Sequence, residues 1–598
     1  MGDKDTVVEM SRKGGGFLLS ESDCSQVFTP EDFTDEHKQI ADTAEQFAIN
    51  EVMPHWEEVE NKQFDVTVGL LKKAAELGLF LVDIPEAYGG LELDKAASML
   101  VAERISVTGS FAVAFSDHAG IGTLPIIYYG TDKQKEEYLP KIASLDVIGA
   151  YGLTEPDAGT DALAAKTSAI LSDDGKYYVL NGTKQFITNG AFADYVITFA
   201  KVDKKDFTGF IIDTKLEGVE IGPEEKKMGI KGSSTTQVIL NNVKVPVDKV
   251  LGEIGKGHKI AFNVLNVGRF KLGAASVGGS KYGLVEAIKY ANERKQFGKL
   301  ISSFGAIKEK ISHMMALTYA AESMTYRLAG SIDDKIHSLD KNLPDYYEKY
   351  QAGIEEYVIE CSAVKVFCSE AMDFVADESV QILGGYGYVN EYFADRFYRD
   401  SRINRLFEGT NEINRLLTTG MLLRKAMKGE LPFQSEAMKA FEDIMSPSLT
   451  EIDDTILFAA EKKLLSDLKK AFLIVAGAGV QKYMDKIQNE QEVLMTSADM
   501  IIDIFALESS ILRAEKNIEK ASENKKDLYR AVVKSLSFYF AEKISTSAKR
   551  CAFYVEGGDN LTMILGAIRK FTKYNAEGLL EARRKIADAA IESEKYIF

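Results

Sequence analysis

The spacing of apolar residues divides the chain into segments of two kinds. Residues 31–52, 66–79 and 96–108 carry apolar side chains at helical intervals, which predicts helices in the first part of the chain. After about residue 151 the pattern changes to short runs rich in β-branched and aromatic residues, which predicts strands. From residue 257 onward the helical period returns in long amphipathic segments. We therefore expect a mainly α protein with a central β domain.

Turn-forming dipeptides separate the predicted strands. Asp174-Gly175, Asn189-Gly190 and Asn241-Asn242 each fall beside such a run. The pair Asn181-Gly182 lies between two runs, at residues 177–180 and 185–188. An Asn-Gly pair in this position predicts a tight hairpin.

Prolines and charged stretches suggest the domain boundaries. We expect an N-terminal helical domain (28–150), a β domain (151–255), a helical bundle (256–430), an acidic linker (431–454) and an additional C-terminal helical domain (455–598). Residues 320–327 and 506–513 share four identities in eight positions. The additional domain is therefore either a partial duplication of the bundle or unrelated to it, with a chance match.

Charge and composition exclude several classes of protein. The chain has 72 Lys and Arg against 90 Asp and Glu, a net charge of −18, which disfavours binding to nucleic acid. Four cysteines and six scattered histidines indicate neither a disulfide framework nor a metal site. The N-terminal residues lack the apolar core of a signal peptide, so a cytoplasmic location is expected.

The longest apolar run, at residues 471–480, falls short of the ~20 residues that span a bilayer. We interpret it as a buried bundle helix. Four lysines precede it, so a peripheral contact with a membrane surface is the alternative.

Four segments carry residues suited to chemistry, although each also has a purely structural explanation. They are residues 151–161 (Tyr-Gly-Leu-Thr-Glu-Pro-Asp-Ala-Gly-Thr-Asp), 293–298 (Glu-Arg-Lys-Gln-Phe-Gly), 381–388 (Gln-Ile-Leu-Gly-Gly-Tyr-Gly-Tyr) and 406–415 (Leu-Phe-Glu-Gly-Thr-Asn-Glu-Ile-Asn-Arg). The first could be an acidic turn, the second a solvated helix end, and the third a helix C-cap. In the fourth, Thr410 is predicted to cap a new helix. No Walker or Rossmann phosphate motif is present.

Together, in this order and spacing, these segments resemble the acyl-CoA dehydrogenase family. Gly152-Leu153-Thr154-Glu155 with Gly159-Thr160-Asp161 is similar to one family signature, and Gln381 to Asp400 is similar to the second. Phe407-Glu408-Gly409-Thr410 resembles the catalytic segment. The resemblance covers about residues 30–425, and the helical tail resembles the additional domain of the very-long-chain type. It implies the family's helical–β–helical fold followed by an extra α domain.

The resemblance also implies an activity. In the family a glutamate removes the α-proton of a fatty acyl-CoA while the β-hydride passes to FAD, giving a trans-2-enoyl-CoA in the first step of fatty acid β-oxidation. The glutamate corresponds to Glu408. Its ordinary pKa of ~4.3 must be raised for this task, and burial is the expected cause. Its backbone N–H and a ribityl hydroxyl of the flavin are expected to polarise the thioester. Some relatives carry the base on an earlier helix, at a position that corresponds to Gly268, and glycine cannot act as a base.

Further residues are assigned by the same resemblance. Those implied for FAD are Tyr151, Leu153, Thr154, Phe186, Ile187, Thr188, Arg294, Phe297, Gln381, Gly384, Gly385, Thr410 and Glu412, of which Gln381, Gly384 and Gly385 are expected to reach a neighbouring subunit's cofactor. Those implied for the acyl-CoA are Thr160, Asn266, Arg269, Phe407 and Gly409. No metal is implied.

The expected substrate is a medium- to long-chain acyl-CoA, and an electron-transferring flavoprotein is the expected electron acceptor. A helix over residues 111–122 should line the bottom of the acyl pocket. Ala119, Gly120 and Gly122 would leave room for a long chain, whereas Asp117 and His118 would close the pocket. Because the additional domain covers the face through which shorter relatives form tetramers, a homodimer is expected.

Two other functions remain open at this stage. An acyl-CoA oxidase would pass electrons to oxygen, and these motifs do not report on oxygen reactivity. A nucleic-acid-binding flavoprotein of the same fold would need a basic C-terminal domain. Residues 431–598 contain 24 Lys and Arg against 26 Asp and Glu, which argues against it.

Overall fold

The computed structural model describes residues 10–445, 453 and 455–598. Its N-terminal part is helical, as predicted. Side-chain caps begin several of these helices: Thr34, Asp94 and Thr131 each accept a hydrogen bond from the backbone N–H three residues later. The helices are α1 (Asp35–Phe47), α2 (Trp56–Glu60), α3 (Phe64–Glu76), α4 (Lys95–Ile105), α5 (Ser110–Ala119), α6 (Leu124–Tyr129) and α7 (Asp132–Ala143).

An eight-stranded sheet forms the middle domain. Its strands are β1 (Gly149–Gly152), β2 (Ser168–Leu171), β3 (Tyr177–Thr188), β4 (Tyr195–Val202), β5 (Asp206–Asp213), β6 (Val219–Ile221), β7 (Thr235–Pro246) and β8 (Val250–Leu251). They are ordered β6-β7-β3-β2-β4-β5-β8, and β1 pairs with β4 in parallel. The apolar faces of this sheet form a core of their own.

The predicted hairpin at Asn181-Gly182 is wrong. Strand β3 continues through these residues, and the register against β7 shifts between Leu180 and Gly182. A Cβ at Gly182 would lie 2.3 Å from Oγ1 of Thr167, so the glycine serves a bulge and a close approach. Asn241-Asn242 likewise lies inside β7, whereas Asp174-Gly175 does join the antiparallel strands β2 and β3.

Long helices follow, with a short β9–β10 ribbon (Lys295–Gln296, Lys299–Leu300) between the first two. They are α8 (Gly257–Glu293), α9 (Gly305–His337), α10 (Tyr346–Glu356), α11 (Val358–Leu383), α12 (Phe393–Ser401) and α13 (Asn411–Met427). The long helical segments expected from residue 257 onward begin with the single helix α8. Its middle is buried and rich in Gly, Ala and Ser, so it lacks the one-sided pattern of a surface helix.

The first part of the expected linker is helical, in α14 (Phe433–Met445); residues 446–452 and 454 lie outside the described residues. The remaining helices are α15 (Ala459–Tyr483), α16 (Gln491–Asn517), α17 (Glu523–Val555), α18 (Gly558–Phe571) and α19 (Leu579–Ser593). Residues 471–480 lie within α15 and are largely buried, which confirms the bundle-helix interpretation. This run therefore presents no apolar face to a membrane surface.

The two similar octapeptides face each other across the contact between α9 and α16. Arg513 binds Glu322, with 2.6 Å between Nη1 and Oε2, and Arg327 binds Glu508, with 2.9 Å between the same two atoms. Ser323 and Ser509 accept hydrogen bonds from these arginines in the same reciprocal way. The identical residues of the two segments thus make equivalent contacts, which supports an internal duplication.

Candidate active site

Residues 408–410 form a tight loop at the start of α13. Thr410 caps the helix, as predicted, because its hydroxyl accepts a hydrogen bond of 3.3 Å from the N–H of Ile413. Glu408 and Gly409 have φ values of +56° and +81°. The left-handed conformation is strained for a glutamate, so other groups must hold the loop in place.

Three side chains hold this loop by its main-chain carbonyls. Arg269 donates to the carbonyl of Glu408 over 3.3 Å, and Lys365 donates to that of Gly409 over 2.8 Å. Nδ2 of Asn414 lies within 3.3 Å of the carbonyls of Glu408, Gly409 and Thr410. The backbone is therefore fixed while none of these groups bonds the carboxylate of Glu408.

The carboxylate of Glu408 is poised to accept a proton. Its Oε2 is buried without a hydrogen-bond partner. Burial raises the pKa of Glu408 to about 7, although the positive charges of Arg269 and Lys365 act in the opposite direction. A general base works best when its pKa is close to the working pH.

The carboxylate faces a cavity of about 170 Å³. Residues of one face of α5 and of one face of α8 line it, at helical spacing. Most of the lining is apolar, including Val113, Ile121 and Leu272, and Phe407 lies beside Glu408. The cavity suits an aliphatic chain whose reacting end lies at Glu408.

Only part of the expected pocket bottom lines this cavity. Gly120 and Asp117 do so, whereas His118 is buried elsewhere and bonds the carbonyl of Ile142 and the N–H of Gly149. Burial lowers the pKa of His118 to about 4, which marks it as a neutral structural residue. Burial and the nearby charge of Glu408 raise the pKa of Asp117 well above its ordinary value.

A bulge near the end of β3 lies just before a residue that lines the cavity. The register against β7 shifts between Lys184 and Ile187, and Phe186 has φ +59° with 61% of its side chain exposed. Thr188 lines the cavity itself. The side chain of Ile187 is buried in the sheet core, so only its main chain is available to a ligand.

Tyr151 on β1 and Leu153 just after this strand are buried, and the hydroxyl of Tyr151 has no hydrogen-bond partner. Thr154 is half-buried and bonds the N–H of Gln185 through its carbonyl. Main-chain groups next to an exposed aromatic ring suit a planar heterocycle such as the ring system of a flavin.

Most of the other residues implied for FAD, at positions 294–297 and 381–385, lie near one another on one exposed surface. The Arg294 guanidinium lies 5.5 Å from the ring centre of Tyr386, and the Tyr290 hydroxyl bonds the carbonyl of Leu383. Gln381 and Glu412 are exposed, and no atom lies within 4 Å of a Cβ built at Gly384 or Gly385. The Phe297 ring is 93% exposed. An open glycine backbone beside an arginine and an aromatic ring fits a diphosphate and a purine.

The residues implied for the acyl-CoA lie in two different places. Phe407, Gly409, Arg269 and Asn266 surround Glu408; Asn266 is buried and accepts a hydrogen bond of 2.7 Å from Arg269. Thr160 is exposed on the β domain. Arg269 and Asn266 therefore support the catalytic loop.

Sequence reasoning missed Lys365 and Asn414. Both are fully buried, and both bond main-chain oxygens of the loop. A lysine in the middle of the apolar stretch of α11 is the signal that could have been noticed. Asn414 follows the helix cap and has no such signal.

Comparisons with known proteins agree with this geometry. Family models described as acyl-CoA dehydrogenase N-terminal, middle and C-terminal domains match residues 34–146, 150–243 and 255–422, and a further model, also described as an acyl-CoA dehydrogenase C-terminal domain, matches residues 467–570. The chain belongs to the acyl-CoA dehydrogenase family.

Individual relatives match nearly the whole length of this acyl-CoA dehydrogenase chain. It is 47% identical over 590 residues to a probable acyl-CoA dehydrogenase of Bacillus subtilis, covering 98% of both chains. It is 35% identical to the mouse mitochondrial very long-chain specific acyl-CoA dehydrogenase, over 75% of this chain and 70% of that one. A Bacillus anthracis acyl-CoA dehydrogenase solved with FAD has a TM-score of 0.96 at 47% identity, covering 98% of this chain and 100% of that one.

Two further observations concern other classes of site. No helix in the described part of the chain combines the length and apolar character needed to cross a membrane. Within the described ranges, no group of His, Cys, Asp and Glu side chains is arranged to hold a metal ion.

Proposed function

We propose that this protein is an FAD-dependent dehydrogenase of fatty acyl-CoA thioesters that forms trans-2-enoyl-CoA products. The observation that carries the proposal is the Glu408 carboxylate, which faces a largely apolar cavity, has an unpartnered oxygen and has a pKa of about 7. A base of this kind matches removal of the weakly acidic proton next to a thioester carbonyl.

The chain supplies the proton transfer and the alignment. Glu408 takes the α-proton, while Arg269, Lys365 and Asn414 keep its main chain fixed through their bonds to the loop carbonyls. Because these bonds use the carbonyls, the N–H of Glu408 remains available to polarise the thioester oxygen. The apolar lining excludes water and keeps the acyl chain extended next to the base.

FAD fits the residues present. Thr188 lines the cavity, and the exposed Phe186 precedes it by two residues on the same strand; FAD bound there would supply acceptance of the β-hydride. Arg294, Phe297, Gln381, Gly384 and Gly385 share one exposed surface of the same subunit. We assign them together to the diphosphate and adenine half of the cofactor held by a neighbouring subunit. Tyr151, Leu153, Thr154, Thr410 and Glu412 are assigned to the cofactor of their own subunit, and Thr160 to the pantetheine of the substrate.

The substrate is a medium- to long-chain acyl-CoA, supported by the cavity between α5 and α8 and by similarity to the very long-chain specific relatives. In this proposal the enzyme catalyses the first step of β-oxidation in the cytoplasm as a homodimer and passes its electrons to an electron-transferring flavoprotein. Asp117 places a polar carboxyl group in the wall of the acyl cavity and so limits which acyl chains the cavity accepts.

An anaerobic titration tests the proposed function. The FAD-loaded protein is mixed with saturated acyl-CoAs from short to very long chains, and bleaching of the flavin absorbance is followed. We expect bleaching with medium to long chains, and none with Glu408→Gln, which keeps the size of the side chain but cannot accept the proton. Full bleaching of Glu408→Gln would refute the assignment of the base. Absence of bleaching of the wild type by every acyl-CoA would refute the activity.

A further inference from the structure

The additional C-terminal domain contacts the helix that follows the catalytic loop. Arg415 lies on α13, and its Nε donates a hydrogen bond of 2.7 Å to Oδ1 of Asp499 on α16. The two terminal nitrogens of Arg415 bond the two oxygens of Glu370 on α11, over 2.7 and 2.9 Å. A guanidinium held by carboxylates on two sides has a fixed orientation.

Hydrogen bonds continue from Glu370 to the catalytic loop. Oε1 of Glu370 accepts a bond of 3.0 Å from Nδ2 of Asn411, and Oδ1 of Asn411 accepts one of 2.6 Å from Nζ of Lys365. The same Nζ donates to the carbonyl of Gly409 over 2.8 Å. An unbroken series of side-chain hydrogen bonds therefore joins Asp499 to the residue next to Glu408.

Burial and charge both act on the side chains of this series. Lys365 and Asn411 are buried. Burial acts to raise the pKa of Glu370, but the hydrogen bonds and charge of Arg415 outweigh it and hold the pKa below its ordinary value. Glu370 and Asp499 in turn raise the pKa of Arg415 despite its burial. Glu370 and Arg415 thus stay charged across neutral pH.

We propose that the additional domain takes part in catalysis and that Asp499 is a positioning residue for Glu408. Asp499 fixes Arg415, and the series through Glu370, Asn411 and Lys365 fixes the main chain at Gly409. Since Glu408 and Gly409 both adopt positive φ, a small loss of restraint at Gly409 turns the carboxylate away from the substrate. The additional domain thereby fixes the orientation of the Glu408 carboxylate.

The same helix offers a matched control. Asp503 lies one turn after Asp499, is buried, and accepts a hydrogen bond of 2.8 Å from Lys543. Its described partners do not include Arg415. Replacing Asp503 by alanine removes from the same domain an ion pair whose carboxylate is buried, so it should cost about as much stability as replacing Asp499. The two variants separate loss of positioning from general loosening of the domain.

Hydrogen–deuterium exchange tests the proposal directly. The full-length, FAD-loaded wild type is compared with Asp499→Ala, Asp499→Glu and Asp503→Ala, and exchange is followed in the peptides that span residues 406–416. We expect about tenfold faster exchange in Asp499→Ala, partial recovery in Asp499→Glu and wild-type exchange in Asp503→Ala. Asp503→Asn replaces Asp503→Ala if the latter does not fold. Equal exchange in wild type and Asp499→Ala, or equal acceleration in both alanine variants, would overturn the proposal.

Kinetics give a second readout, which rests on the proposed function. With an acyl-CoA that reduces the wild type, Asp499→Ala should lower kcat about tenfold and leave KM within about twofold, because the substrate pocket is unchanged. A change in KM alone would contradict positioning of the base. If no acyl-CoA reduces the wild type, the proposed function fails, and the exchange comparison still decides the role of Asp499.

Discussion

Gly268 lies directly against the carboxylate of Glu408. A Cβ built at position 268 would be 2.6 Å from Oε2, 2.7 Å from Cδ and 2.9 Å from Oε1 of Glu408. Real Cβ atoms do not approach carboxylates this closely, so any side chain at 268 and the observed position of Glu408 exclude each other. The glycine in the middle of α8 is explained by this contact, since glycine otherwise weakens a helix.

Gly268→Ala should therefore impair the base without disturbing the fold. The carboxylate must move by at least several tenths of an ångström, and we expect kcat/KM to fall about 10²-fold. Steady-state kinetics of the FAD-loaded enzyme provide the measurement. Gly420→Ala on α13 is the control, because a Cβ added at Gly420 would have nothing within 4 Å, and it should leave kcat/KM unchanged. Equal effects of the two substitutions would disprove the steric explanation.

The pH dependence of kcat/KM should report the titration of Glu408. The base acts only when deprotonated, so with a pKa of about 7 activity should fall as pH drops through 7, about tenfold per unit further down. The charge of Lys365 lowers the pKa of Glu408, so Lys365→Met should move this limb to higher pH.

Lys585→Met serves as the control for that pH profile. Lys585 is a half-exposed lysine paired with Asp527 in the additional domain, and its loss should leave the profile unchanged. If wild-type kcat/KM instead fell only near pH 4, burial would not control the pKa of Glu408.

Some of this site can be predicted from local sequence. A helix cap at Thr410 is a local signal, and the glycine-flanked acid at Glu408 belongs to a short, recognisable segment. Asn181-Gly182 carries an equally strong local signal for a hairpin, and that prediction is wrong. The glycine is needed instead for the close approach of Thr167, which is not its neighbour in sequence. Lys365 escapes prediction for the same reason, since its acceptors at Gly409 and Asn411 lie more than 40 residues away. Local patterns specify caps and helices, whereas side-chain bonds between helices depend on the tertiary packing.

The exposed Phe297 ring leads to a prediction about assembly. A 93% exposed phenylalanine near Arg294 and the open glycines is expected to be covered by a second subunit and its cofactor. Phe297→Asp should shift the homodimer toward monomer in sedimentation velocity and lower FAD retention after gel filtration.

Met484→Asp provides the comparison for assembly. Met484 is 69% exposed in the additional domain, and its replacement should change neither property. A wild-type protein that sediments as a stable tetramer, or as a monomer that retains FAD, would contradict the assignment of this surface.

The reciprocal ion pairs between α9 and α16 should dominate the attachment of the additional domain. Arg513 is 1% exposed and binds both Glu322 and Glu31, so Arg513→Ala removes the guanidinium from two carboxylates, one of them deeply buried and left with Lys281 as its remaining cation. Breaking a buried pair costs up to about 3–5 kcal/mol. Arg327→Ala should cost a similar amount to Arg513→Ala, because its bond to Glu508 is equivalent and Glu508 likewise keeps a second cation, Lys469. Asp527→Ala, which breaks the exposed pair with Lys585, should cost less than about 1 kcal/mol. Denaturant unfolding followed by circular dichroism measures the three variants, and similar midpoints for Arg513→Ala and Asp527→Ala would show that the buried pairs do not hold the domain in place.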